Sequence, residues 1–246
     1  MKRFRWQIVL GVSLFVTSIF FYLLHYVIFK DAHHIFLYMI GDFGFLAIQV
    51  LFVTLIVDQL LSTREKRAMM EKMNMVIGTF FSEVGTDLMR AFFEFDRNVN
   101  MLRDDLAVRA GWTERDFNRA ARHIKNVRHE IDSRQGNLEF LRSFLIGKRT
   151  FMLRLLENPI LLEHDSFTHL LWAVFHVKDE LASRDKLVNL PENDLDHLSE
   201  DIHRAYNHLI AEWIEYMRHL KKDYPYLFSL AVRTNPFDTD ARVEIA

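Results

Sequence analysis

Asp42 is the first side chain in this sequence that could do chemistry. It lies in FLYMIGDFGFLAIQ, residues 36–49, a stretch otherwise apolar enough for the inside of a lipid bilayer. A carboxyl group placed there needs a hydrogen-bonding partner, because hydrocarbon supplies none. Gln49 follows seven residues later and falls on the same helical face. In the preceding apolar run Gln7, Gly11, Ser18, Tyr22 and His25 recur along one face, with Leu14 interrupting. In an antiparallel hairpin Tyr22 matches the depth of Asp42, and His25 stands one turn nearer the outer surface. Asp42, Gln49, His25, Tyr22 and Ser18 are therefore expected to form a buried polar seam. Such a seam either holds helices in register or, where several copies surround it, lines an ion or proton path.

The histidines come next, because nine of the 12 lie after residue 61. In FTHLLWAVFHVKDEL, residues 167–181, His169, His176 and Glu180 share one face of a helix that is apolar nearly all round, and they are expected to be buried. In the next long helix His197, Asp201, Arg204, His208, Glu215 and His219 share a face opposite the apolar positions, and those histidines are expected to be wet. Glu200 and His203 make one Glu-x-x-His pair, whereas a di-metal bundle site uses two, with additional glutamates on neighbouring helices. The expectation is no metal and no cofactor, with His169, His176 and Glu180 as the candidates if a metal is held at all.

A third group is basic. RAARHIKNVR, residues 119–128, carries Arg119, Arg122, Lys125 and Arg128 without an intervening acid. Beside a membrane such a face can meet anionic head groups, and elsewhere it is an ordinary solvated surface. Arg122 and His129, with His123 as the polar residue following the arginine, resemble the Arg-x(4–6)-His nuclease motif of the all-helical HEPN family. The resemblance implies ribonuclease activity lost with His129. It covers those residues alone.

Other chemistries are excluded by what is missing. The chain has no cysteine, which removes disulfides, thiolate metal sites and cysteine nucleophiles. It contains no glycine-rich phosphate loop, nucleophile elbow, HExxH or kinase signature, so an enzyme is not the expectation. A net charge of -2 gives no general reason to bind nucleic acid.

The elements that must position these groups are helices. With 8 Gly, 4 Pro and no hairpin turn signal, the chain of 246 residues reads as all-α. Trp6 to Phe29 contains no charged residue and reaches roughly 35 Å as a helix, enough to cross a bilayer. The segment is too long, and lacks the small-residue site, for a cleaved signal peptide. Ile35 to Val57 makes a second span, joined to the first by KDAHH. Lys2, Arg3 and Arg5 before the first span, and Arg64, Lys66, Arg67 and Lys72 after the second, predict that both termini are cytoplasmic.

Gaps of 3 and 4 between apolar residues from Met69 to Leu106 predict one long helix, with Gly78 and Gly85 as soft points. Helices are further expected from Thr113 to about Arg134, from Asn137 to about Glu157, from Asp165 or Ser166 to near Arg184, and over about 194–222. PYLFSLAV then docks, and the residues after Pro236 form a tail. The organisation expected is a transmembrane hairpin over 1–61, a cytoplasmic antiparallel helical bundle over 62–235 and a tail over 236–246. It fits a membrane-anchored scaffold or signalling module whose partners are the bilayer and either itself or another protein. The alternatives are a small homo-oligomeric channel using Asp42 and a membrane-tethered ribonuclease of the HEPN kind.

Overall fold

The structure, a computed structural model, describes residues 2–99, 103, 106–126, 130–238 and 241–244, with nothing said of the side chains of 2–5, 7 and 162. Every regular element among the described residues is a helix, as expected. The chain divides into two compact units, Met1–Lys66 and Arg67–Ala246.

In the first unit α1 (Lys2–Phe29) is followed by the start of α2 (Ala32–Phe80). Two residues make the turn. The amide of Lys30 donates to Tyr26 O at 2.8 Å, which closes α1, and Lys30 takes a left-handed φ of 50°. Asp31 then caps α2 by accepting from His34 N at 3.2 Å. Across this turn the rings of His25 and His34 stack with centroids 6.2 Å apart. The hydroxyls of Thr17 and Thr54 bond back to the carbonyls of Ser13 and Val50, so they need no outside partner.

The second unit begins within α2 and is built round its own apolar core. The ladder changes step at a π turn, Phe81–Gly85, where the amide and hydroxyl of Thr86 both donate to Phe81 O. Gly85 is required there by space. A Cβ would lie 2.5 Å from Cδ1 of Phe81 and 3.0 Å from Cε1 of Phe80. One of the two glycines expected to soften this helix thus marks its actual irregularity, and α3 (Thr86–Phe93) continues beyond it.

The expected run to Leu106 is interrupted after Phe93, with helical backbone again at the described residues Val99, Arg103 and Leu106. Phe95 turns inward to full burial, and its carbonyl accepts from Asp132 N at 2.8 Å, while Arg97 N donates to Glu130 O at 3.1 Å. Asp96 and Ile131 so form an isolated antiparallel bridge. The long-range pairing outcompetes the local helical period. Likewise α4 (Glu114–Asn126) is shorter than expected, and residues 130–137 are irregular because they pair with that bridge and bond to Leu195 and Ser199.

Five further helices follow among the described residues. α5 (Leu138–Leu156) starts where Asn137 accepts from Phe140 N at 2.9 Å. A single turn, α6 (Pro159–Leu162), is capped by Asn158. α7 (Asp165–Ala182) is capped by His164, one residue before the expected cap, its Nδ1 accepting from Phe167 N at 3.2 Å. α8 (Glu192–Asp223) has Glu192 and Asp194 in its first turn and Lys221 and Lys222 in its last, both favourable to the helix dipole. α9 is Pro225–Arg233.

The central element is α8, which packs against α3, α4, α7 and α9. Its apolar stripe from Leu198 through Ile202, Leu209, Trp213 and Leu220 is buried. Phe80 meets Phe167 edge to face at 5.2 Å. Ser133 fastens the irregular segment to α8 by donating to Leu195 O at 2.7 Å. Beyond Pro236, Phe237 is buried against Phe93 with centroids 4.4 Å apart, and Asn235 donates to Leu106 O at 3.0 Å.

Candidate binding cleft

A cleft of about 1180 Å³ opens in the second unit between the last turns of α2, the start of α7 and the C-terminal half of α8. It is open on one side, and its walls mix apolar with ionisable groups. Met70 and Ile77 come from α2, Tyr216 from α8 and Tyr224 from the turn that follows it.

Two titratable side chains distinguish it. Glu212 is buried to 6% exposure on the face of α8 that otherwise carries Leu209 and Tyr216. Burial pushes its carboxyl above the ordinary 4.5, against the opposing pull of a hydrogen bond with Ser166 and the charge of His164. Ser166 Oγ lies 3.1 Å from His164 Nδ1, so the α7 cap also helps to place the serine beside the glutamate. His219 stands seven residues after Glu212, about 10 Å along the helix axis. Its Nδ1 has Asn74 Nδ2 at 3.2 Å and Asp223 Oδ2 at 2.9 Å. Burial pulls the imidazole below its ordinary range while Asp223 pulls the other way. Its Nε2 is buried without a hydrogen-bond partner. A buried carboxyl group and a buried imidazole nitrogen left without a partner give the cleft polar groups that a ligand could bond.

Sequence reasoning missed Glu212, although it stands three residues after Leu209 and four before Tyr216, where the helical period calls for an apolar residue. His219 was on the face expected to be wet, yet its side chain is 14% exposed, because Asn74 of α2 comes over it.

The other candidates scatter. Asp42, Gln49, Ser18 and Tyr22 are exposed, His25 is half-buried, and no hydrogen bond among the described residues joins these side chains. On α4, Arg119 is paired with Asp116 at 2.9 Å and Arg122 Nε donates to Asn118 O at 3.1 Å. Lys125 is exposed, and Arg128 and His129 lie outside the described residues. His169 is exposed rather than buried, its ring 6.1 Å from His208, because Leu170, Leu171 and Val174 take the inner face of α7. His176 and Glu180 are also only partly covered, and they face His197 and Asp201 of α8.

Residues 69–233 match the family described as uncharacterized protein MJ1433, C-terminal helical domain, and residues 2–61 match the MJ1433 N-terminal helical domain. The chain is 43% identical over 234 residues to the uncharacterized protein MJ1433 of Methanocaldococcus jannaschii, a match that covers 95% of this chain and 94% of that protein. No solved structure matches.

Proposed function

This chain belongs to the MJ1433 family of helical proteins, and we propose that it is a two-span integral membrane protein whose second unit is a cytoplasmic signalling or scaffold module. α1 and the first part of α2 are the spans, and the cleft is the pocket through which the module takes a small polar ligand.

One observation carries the reading. No described side chain from residue 6 to residue 66 is buried, although Phe, Leu, Ile and Val dominate both helices. Burying one such side chain is worth about 1.5–3 kcal/mol, so a surface of this size held in water would drive aggregation. In lipid the same surface drives insertion. Both helices are long and apolar enough for that. Insertion costs about 2.5–3.5 kcal/mol for Asp42, less than the summed gain from the Leu, Ile, Phe and Val around it. Among the described residues nothing donates a hydrogen bond to Asp42, which favours a partner in a second copy of the hairpin and supports self-association. The basic residues that flank the spans favour cytoplasmic termini.

The natural absence of cysteine makes the test clean. Ala32→Cys in the turn should react with a membrane-impermeant maleimide on intact cells, and Val243→Cys only after permeabilisation. Labelling in the reverse order, or equal labelling of both in sealed cells, contradicts the topology.

A further inference from the structure

The turn end of the α7–α8 hairpin gathers four side chains that the cleft does not use. His176 and Glu180 are one turn apart on α7, and His197 and Asp201 are one turn apart on α8. Because the helices run antiparallel, His176 is opposite Asp201 and Glu180 opposite His197. Nε2 of His176 is 3.1 Å from Asp201 Oδ2, Nε2 of His197 is 3.3 Å from that same oxygen, and His197 Nε2 is 3.8 Å from Glu180 Oε2. One donor atom from each residue fits within 4.8 Å of all the others.

These contacts are not ordinary ion pairs. The Asp201 side chain is 1% exposed, yet its Oδ2 accepts no hydrogen bond, although two imidazole nitrogens stand beside it. A carboxylate oxygen buried in this way is costly to leave without a partner. The spacing is that of ligand atoms around an ion. Bonds of about 2.0–2.1 Å in a tetrahedron set neighbouring ligand atoms about 3.3 Å apart. The other oxygen, Oδ1, accepts from Arg204 at 3.2 Å, which fixes the carboxylate from behind. Glu180 Oε2 accepts from Arg184 at 2.9 Å, and Arg184 is itself held by Asp194. Arg184 therefore orients Glu180 and competes for it, so the two histidines and Asp201 form the firm part of the site.

We propose that His176, His197, Asp201 and Glu180 bind one divalent transition-metal ion of the zinc class, clamping α7 to α8 beside their turn. Two imidazoles exclude calcium and magnesium, which take oxygen ligands, and two carboxylates balance the charge of the ion. With His176 and His197 about half exposed, the ion can enter and leave without unfolding the core.

The test uses the full chain, without an affinity tag, in detergent micelles. Co²⁺ should bind one per chain with the intense visible bands of tetrahedral coordination, Zn²⁺ should displace it, and saturating Zn²⁺ should raise the melting temperature by several degrees. The double variant His176→Ala, His197→Ala should lose the bands and the shift, and Asp201→Asn should bind more than about 100-fold more weakly. His169→Ala should change neither. A folded wild-type chain that gives no tetrahedral Co²⁺ bands overturns the proposal, and so does a double variant, folded by circular dichroism, that keeps them.

Discussion

Glu212 shows how much one side chain can decide. It is the carboxyl group where α8 would otherwise carry an apolar residue, and burial is what raises its pKa. A folded chain that holds this proton more tightly than the unfolded chain loses stability as the pH rises through 4.5 toward the folded value, and gains none of it back at neutrality. Glu212→Gln removes that dependence and keeps a side chain able to bond Ser166. In urea titrations of the detergent-solubilised chain, the variant should match the wild type near pH 4 and exceed it at pH 7. Parallel pH profiles would mean that Glu212 titrates normally. The same residue marks how far single positions can be read. The interrupted apolar stripe was visible at Glu212, and the shared faces of His176 with Glu180 and of His197 with Asp201 were visible within each helix. That the two pairs meet was not, because it depends on the register of α7 against α8. On the α8 face read as wet, His197, Arg204 and Glu215 are exposed as expected, while α7 covers Asp201 and α2 covers His219.

At the scale of elements, the starts and ends of α5, α7 and α8 were legible to within about two residues, and the joint after α3 was not. Asn137 and the acidic turn after Pro191 begin helices close to where their types predict, since a cap is a local bond. The end of α3 is not local. Nothing near Phe93 breaks a helix. It ends because Phe95 enters the core and the bridge between Asp96 and Ile131 takes over the backbone. Gly136 belongs to the same joint, and its role is space: a Cβ would meet the Phe95 ring at 2.5–2.7 Å, and its φ is not positive. The buried ring cannot retreat, so Gly136→Ala should destabilise the second unit by about 1–3 kcal/mol, measured as a shift in urea midpoint at unchanged slope. A variant as stable as the wild type would show that the ring has room to move.

At the scale of the whole molecule, composition and charge patterning carry the argument. The chain is all-helical, with an N-terminal unit of exposed apolar helices and a second unit with a core of its own. If Asp42 finds its partner in another copy, Asp42→Ala should lower the cross-linked dimer yield in native membranes by about half or more, while leaving the amount inserted unchanged. Equal yields would assign Asp42 no part in self-association.

The central claim is that α1 and the first part of α2 are held in lipid. Washing membranes that contain the full chain with alkaline carbonate tests it most directly. The chain should stay with the sedimented membranes and enter solution only with detergent. Release into the supernatant as a single monodisperse species would contradict the account.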